Sequence, residues 1–236
     1  MAKRGKLSKE FETIDEVVRP ERLRHYQYLI LIVCEDELTE KLYFESFKNR
    51  IPKETIFLTT VGTGLDPLGV VERSLEKRQE LAKMCRREVD RVWVVFDKDD
   101  ADKEPGKVKR FEQALLTVEQ HQLKLAFSNE VFELWLLLHL VAVDPDKAMP
   151  RVEIYERLQA EIRTKPGHEN FTYEHGNKEV LEKISVLGDE TLAIARAAAL
   201  VLHHADKPHL ECNPKTLVHL LISDLYDWIN YYSYTG

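Results

Sequence analysis

The chain has 236 residues, 44% of them apolar and 32% charged, with 34 basic against 41 acidic side chains and a net charge of −7. That balance suits a globular protein of one large domain, or one domain with an appendage, and argues against a free-standing high-affinity nucleic-acid binder, whose phosphate contacts need Lys and Arg. The longest apolar stretch, residues 134–143, is interrupted by His139 and falls short of the roughly 18 residues a membrane helix requires, so no membrane role is expected.

Residues 1–25 read as a charged leader without periodicity; Lys3, Arg4, Lys6 and Lys9 are its basic element, most simply a solvated tail. Tyr28 to Cys34 is an apolar run that ends in Glu35, as expected of a buried strand. A helix is expected over 37–49, with Leu38, Leu42, Phe44 and Phe47 on its apolar side and Pro52 beyond it. A second strand over 56–61 leads into the turn Gly62-Thr63-Gly64. Asp66 as cap and Pro67 at the first position then open a long helix to about residue 87. In the third strand, 92–96, Trp93 and its β-branched neighbours suit burial on both faces. A polar loop, 99–106, precedes a helix over 107–120 and a short strand over 123–127. Ser128 or Asn129 can cap the next helix, 131–140. Beyond Pro150 only helices are expected, over 152–163, 178–185, 189–204 and 215–231, with a long loop at 164–177. Strands alternating with helices predict βαβ units. The expected architecture is an α/β core over 26–145, built on a mostly parallel four-stranded sheet flanked by helices, with a helical region over 146–236 packed on it.

The chemistry is expected at two strand ends. Glu35, Asp36, Glu37 and Glu40 follow the first strand, and Asp97, Asp99 and Asp100 follow the third. Parallel sheets present ligands at the C-terminal ends of their strands. Were these strands neighbours, their carboxylates would converge, and two such charges about 4 Å apart repel by roughly 4 kcal/mol at an effective dielectric near 20. Protons or a divalent cation would relieve that cost. Oxygen-only ligands favour Mg²⁺ or Mn²⁺ over zinc, and an ion there could orient a scissile phosphate. The plainer alternative is that these acids cap helices, as Asp36 and Glu37 are placed to do.

Other residues admit two readings each. Glu133, in an apolar segment, is either an active-site carboxylate or half of a buried ion pair. Asn129 is a cap before it is a site residue, and Lys98 contacts phosphate or pairs with Asp100. Gly62-Thr63-Gly64 lacks the Lys-Ser/Thr sequel of a P-loop and reads as a turn before a phosphate cradle. His139 lies six residues from Glu133, on another helix face, and reads as a core histidine. His203, His204, His209 and Cys212 match no zinc spacing, and the three scattered cysteines suggest no disulfide framework. The first residues lack a secretory apolar segment, which points to the cytoplasm.

The string Val33-Cys34-Glu35-Asp36-Glu37-Leu38-Thr39-Glu40, with Tyr43-Phe44 behind it, resembles the opening motif of RloB-like proteins. Further blocks fit in order: residues 92–99, then Ser128-Asn129-Glu130-Val131-Phe132-Glu133-Leu134-Trp135 through His139, then Asn213-Pro214-Lys215-Thr216 with Val218 and Leu220. The resemblance runs from about 28 to 225, and the Phe-Glu-Leu-Trp block is its most specific part. Such proteins look like members of the Toprim superfamily, which implies a compact parallel sheet sandwiched by helices. It also implies that Glu35 serves acid/base or metal-linked chemistry, that Asp97 and Asp99 bind Mg²⁺, and that Glu40 helps hold a second ion. Asp36 stands where glycine is usual and Glu130 where proline is common; a side chain at 36 would crowd a phosphate or add a ligand. The association of such proteins with restriction-linked loci and phage defence implies a Mg²⁺-dependent nuclease, an effector cutting DNA or RNA under the control of an ATPase partner. The alternative is a non-catalytic regulatory subunit that keeps the Toprim shape.

Overall fold

Every side chain of Tyr28–Cys34 (β1) is buried, as an apolar run without alternation demands of a strand covered on both faces. Ile30, Ile32 and Cys34 pack into one helical layer; Leu29, Leu31 and Val33 pack into the other. Ile56–Gly62 (β2) and Arg91–Asp97 (β3) flank β1 in parallel, and Lys124–Asn129 (β4) runs parallel to β3. The computed structural model describes Leu23, residues 25–205 and residues 207–234. Of the expected leader, everything except Leu23 and His25 lies outside the described residues, Lys3, Arg4, Lys6 and Lys9 included.

The sheet has five strands, in the order β2-β1-β3-β4-β5, where four were expected. The fifth, Lys215–Thr216 (β5), pairs antiparallel with β4, Thr216 opposite Ser128 and Lys215 opposite Asn129. The helix expected over 215–231 therefore starts later, as Val218–Tyr234 (α8). Residues just after Pro214 gain more by satisfying the open edge of β4 than by starting a helix. The same pairing holds β4 extended through Asn129, so Asn129 is a strand residue and caps nothing.

Pro67–Cys85 (α2) and Pro105–Gln120 (α3) cover one face of the sheet, and the side chain of Asp66 accepts from the Gly69 N–H at the start of α2. Phe96, Phe111 and Phe127 meet edge to face in this layer. The other layer draws on Thr39–Glu45 (α1), Glu133–Leu138 (α4), Arg151–Arg163 (α5), Glu179–Leu187 (α6), Glu190–His203 (α7) and α8. The helix expected over 37–49 is thus a short α1 followed by a 3₁₀ turn, Ser46–Arg50, and the one expected over 131–140 shrinks to α4. Among the described residues no helix is long and apolar enough to cross a membrane.

Trp135 sits at the centre of this second layer, fully buried and edge-on to His139 at 4.8 Å. Trp135→Ala is expected to cost about 3–5 kcal/mol, read as a lower urea midpoint. Val186→Ala, at a side chain 78% exposed, should stay within about 0.5 kcal/mol of the parent protein.

Candidate metal centre

The tips of β1 and β3 meet. The Glu35 N–H donates to the Val95 carbonyl (2.9 Å) and the Glu35 carbonyl accepts from the Gly64 N–H (2.8 Å), so the sheet continues one residue past β1. Glu35 Oε2 then accepts from the backbone N–H of Asp97 (3.0 Å). Asp97 Oδ2 accepts from the Phe132 N–H (2.8 Å), just before α4, while its Oδ1 is buried without a hydrogen-bond partner. Asp99 donates its N–H to the Glu130 carbonyl (3.1 Å) and has left-handed backbone, φ +46°, a conformation aspartate tolerates better than most residues. Glu35, Asp97 and Asp99 line one cleft of about 230 Å³, together with Asp66, Lys98, Asp100, Lys107 and Arg110.

The turn after β1 is braced rather than free. A Cβ on Gly62 would lie 2.5 Å from the Glu37 Cα, so only glycine lets β2 approach this turn. Thr63 Oγ1 donates to the Cys34 carbonyl (2.9 Å). Gly62-Thr63-Gly64 is therefore a clamp on the acidic turn. Asp36 caps α1: its carboxylate accepts from the N–H groups of Leu38 and Thr39, and Glu40 Oε2 accepts from the Asp36 N–H (3.1 Å). The aspartate that stands in the usual glycine position is committed to the helix start.

Burial dominates the electrostatics. It pushes the Glu35 carboxyl up to about 8, against the opposing pull of the Asp97 N–H. Burial, then the neighbouring carboxylates, lifts Asp97 and Glu40 well above the ordinary carboxylate range. Asp99 is raised by burial and pulled back by Arg151. Among the described residues no three His, Cys, Asp or Glu side chains stand close enough to hold a metal ion as placed. The reason is local: Glu35 is turned onto a backbone N–H, one oxygen of Asp97 is spent on Phe132, and Asp99 faces a cation of the protein. Arg151 Nη1 lies 3.3 Å from Asp99 Oδ1, and its Nη2 lies 2.7 Å from Asp100 Oδ1. The donor set still fits a hard divalent cation, because every donor is oxygen and Asp97 Oδ1 is buried and unpartnered. Protons held so far above their ordinary range mark where an ion would replace them.

The second-tier residues separate. Lys98 is buried, its Nζ between Asp102 (2.9 Å) and Glu130 (3.3 Å) and not paired with Asp100. Asn129 Nδ2 donates to the His209 carbonyl (3.5 Å), away from the carboxylates, and the Asn129–Glu130 peptide is cis. Glu133 is buried at the start of α4, accepts from the Tyr173 hydroxyl and faces His175 Nδ1 at 3.7 Å. Its partners are thus a phenol and an imidazole. His139 is a core histidine, Nδ1 against the Trp135 carbonyl (2.9 Å) and Nε2 against the Tyr43 hydroxyl (3.5 Å). His203 pairs with Asp146 (3.1 Å), and the Cys212 thiol donates to the Pro208 carbonyl (3.1 Å). Sequence reasoning missed Arg151, Tyr173 and His175, which carry no motif of their own. The one available signal was an arginine directly after Pro150, at the start of a helix.

A family model described as RloB-like protein matches residues 30–225. No curated protein and no solved structure matches the chain.

Two outcomes follow from this geometry. Between about pH 4.5 and pH 8 the folded state keeps the Glu35 proton and the unfolded state does not. The contribution of Glu35 to stability is therefore greatest at the acid end of that window and falls as pH rises through it. In metal-free protein Glu35→Gln should flatten this slope and raise Tm at pH 8 on the order of 5 °C, measured by calorimetry at pH 6 and 8. Arg151→Ala should tighten Mn²⁺ binding roughly fivefold to tenfold in an isothermal titration, the equivalent of losing one partly exposed competing charge.

Proposed function

The chain belongs to the RloB-like family, and on that premise we propose that it is a Mg²⁺- or Mn²⁺-dependent nuclease of Toprim type. It would cut phosphodiester bonds of DNA or RNA at the C-terminal edge of its parallel sheet. The observation that carries this reading is the Asp97 carboxylate, buried with one oxygen unpartnered, beside Glu35 at the neighbouring strand tip. Asp97 and Glu35, with Asp99 once it leaves Arg151, are the residues that would hold the ion, and Glu40 stands behind them. The chemistry an ion supplies in such a site is placement of the scissile phosphate, relief of charge during in-line displacement and easier deprotonation of water.

The chain's own residues do the positioning. The Asp97 N–H fixes the Glu35 carboxylate, and the Phe132 N–H fixes that of Asp97. Glu35 would complete the ion's ligand set or move a proton. Lys107 and Arg110 bring positive charge to the cleft, with Arg110 bidentate on Asp66 (2.5 and 2.8 Å), and can meet flanking phosphates. The net charge of −7 supports weak binding of nucleic acid by the protein alone; on this reading it is an effector in antiviral defence, acting in the cytoplasm and delivered to its substrate by an ATPase partner.

One observation favours a second reading, a non-catalytic regulatory subunit: Arg151 compensates Asp99 and Asp100 without any ion. Labelled DNA and tRNA incubated with the protein and Mg²⁺ or Mn²⁺ separate the two. Asp97→Asn and Asp99→Asn should each slow cleavage at least about a hundredfold with melting temperature retained. Cleavage that persists in both variants defeats the nuclease reading. A wild-type protein that binds no Mg²⁺ by calorimetry yet holds an ATPase tightly supports the regulatory one.

A further inference from the structure

Helix α7 turns an unusual face to solvent. Its exposed positions are Thr191, Leu192, Ala195, Ala198, Ala199 and Leu202, with His203 at the end. On a helix of 3.6 residues per turn these fall within one broad stripe. Leu202 is 78% exposed and Leu192 46%. On α2, by contrast, the exposed positions are Glu72, Glu76, Gln79, Glu80 and Lys83, the usual make-up of a solvated face. Both charged residues of α7 are turned inward. Glu190 accepts from the Tyr43 hydroxyl (3.1 Å) and pairs with Arg50 (2.8 Å), and Arg196 donates to the Leu138 carbonyl (2.5 Å) at the end of α4. The stripe therefore holds no carboxylate, ammonium or guanidinium along about 21 Å of helix. Contiguous exposed apolar surface of this kind marks an association site.

The order of residues along the stripe fits one occupant. Leu192 and Leu202 lie equally far to either side of Ala197, and so do Ala195 and Ala199. A second α7 laid antiparallel across the first, on a two-fold axis at the level of Ala197, sets each leucine over the other copy's opposite leucine and each alanine over the opposite alanine. Alanines at the crossing let the two axes approach to the short end of the roughly 8–10 Å usual between packed helices. Charge agrees with that direction. Antiparallel helices oppose their macrodipoles, and the exposed Asp189 that caps α7 comes towards His203 of the other copy. A parallel pair would bring Asp189 against its own counterpart.

We propose that the outer face of α7 is a docking surface for a second copy of this chain, the two helices crossing antiparallel about a two-fold axis at Ala197. A face about 21 Å long and roughly 10 Å across is smaller than the roughly 800 Å² per partner of a standard interface. The dimer is therefore reversible, with Kd on the order of 1–100 µM. Arg196 ties α7 to α4, which follows the Phe132 N–H that holds Asp97, so the dimer joins two clefts through one shared helix pair.

The test is sedimentation velocity on the full-length protein from about 1 to 300 µM, with calorimetry alongside. Wild type should pass from monomer to dimer across that range. Ala199→Glu and Ala195→Lys each place a charge at the crossing and should weaken association at least about tenfold. Both sites are exposed, so melting temperatures should stay within about 2 °C of wild type. Mixed together, the two variants should associate more tightly than either does alone, since position 195 of one copy meets position 199 of the other. A wild type that stays monomeric throughout overturns the proposal, whether or not another protein covers the face. A dimer that both substitutions leave intact puts the interface elsewhere and overturns it equally. Variants that weaken the dimer yet regain nothing on mixing overturn the antiparallel crossing.

Discussion

A carboxylate received by a backbone N–H, Glu35 on Asp97, joins the tips of the two central strands, and the rest of the site is arranged around that contact. The sheet behind it is apolar on both faces, so its polar chemistry can only be placed where the strands end. A hydrogen bond to a charged group contributes about 1.5–3 kcal/mol. Repulsion between two carboxylates about 4 Å apart reaches roughly 4 kcal/mol at an effective dielectric near 20. Backbone donors alone therefore do not offset a gathering of Glu35, Glu40 and Asp97. Burial first, and then this repulsion, favour the protonated forms, and both push these carboxyls above the ordinary range.

The two halves of the chain contribute opposite things. The α/β half supplies the acids, each braced by its own strand or turn: Glu35 by Gly64 and Asp97, Asp36 by the start of α1. The helical half supplies Arg151 against Asp99 and Asp100, and the tyrosine and histidine against Glu133. Both halves share one apolar cluster, which includes Ile30 and Ile32 of β1 as well as Ile154, Ala197 and Leu221 of the helical half. Movement of α5 relative to β3 would change the charge compensation of Asp99 directly. That makes the Arg151 contacts the natural coupling point between packing and site.

Much of this was legible in the sequence. The unbroken apolar run of β1 and the Asp66-Pro67 start of α2 announce themselves through local physics, and acids directly after two buried strands locate the cleft. What escaped detection lacks a local signature. A two-residue strand has no periodicity, so β5 was hidden inside an expected helix. Asn129 suits a cap and a strand end equally, and only its pairing with Lys215 decides between them. Arg151 and His175 act on partners far along the chain, Asp100 and Glu133, and neither residue type nor spacing advertises such a meeting. Asp36 showed the reverse: its plainest local role, a helix cap, is the one the structure displays.

The antiparallel pairing of β5 with β4 has a consequence for how the protein comes into being. During synthesis, both acid-bearing strands leave the ribosome long before Lys215 and Thr216 do. Until then β4 presents an open edge, and the Asp97–Phe132 region is bordered by unpaired backbone. A nascent chain would thus carry its carboxylates in an unfinished frame, with the final stitch arriving only once Lys215 and Thr216 have emerged.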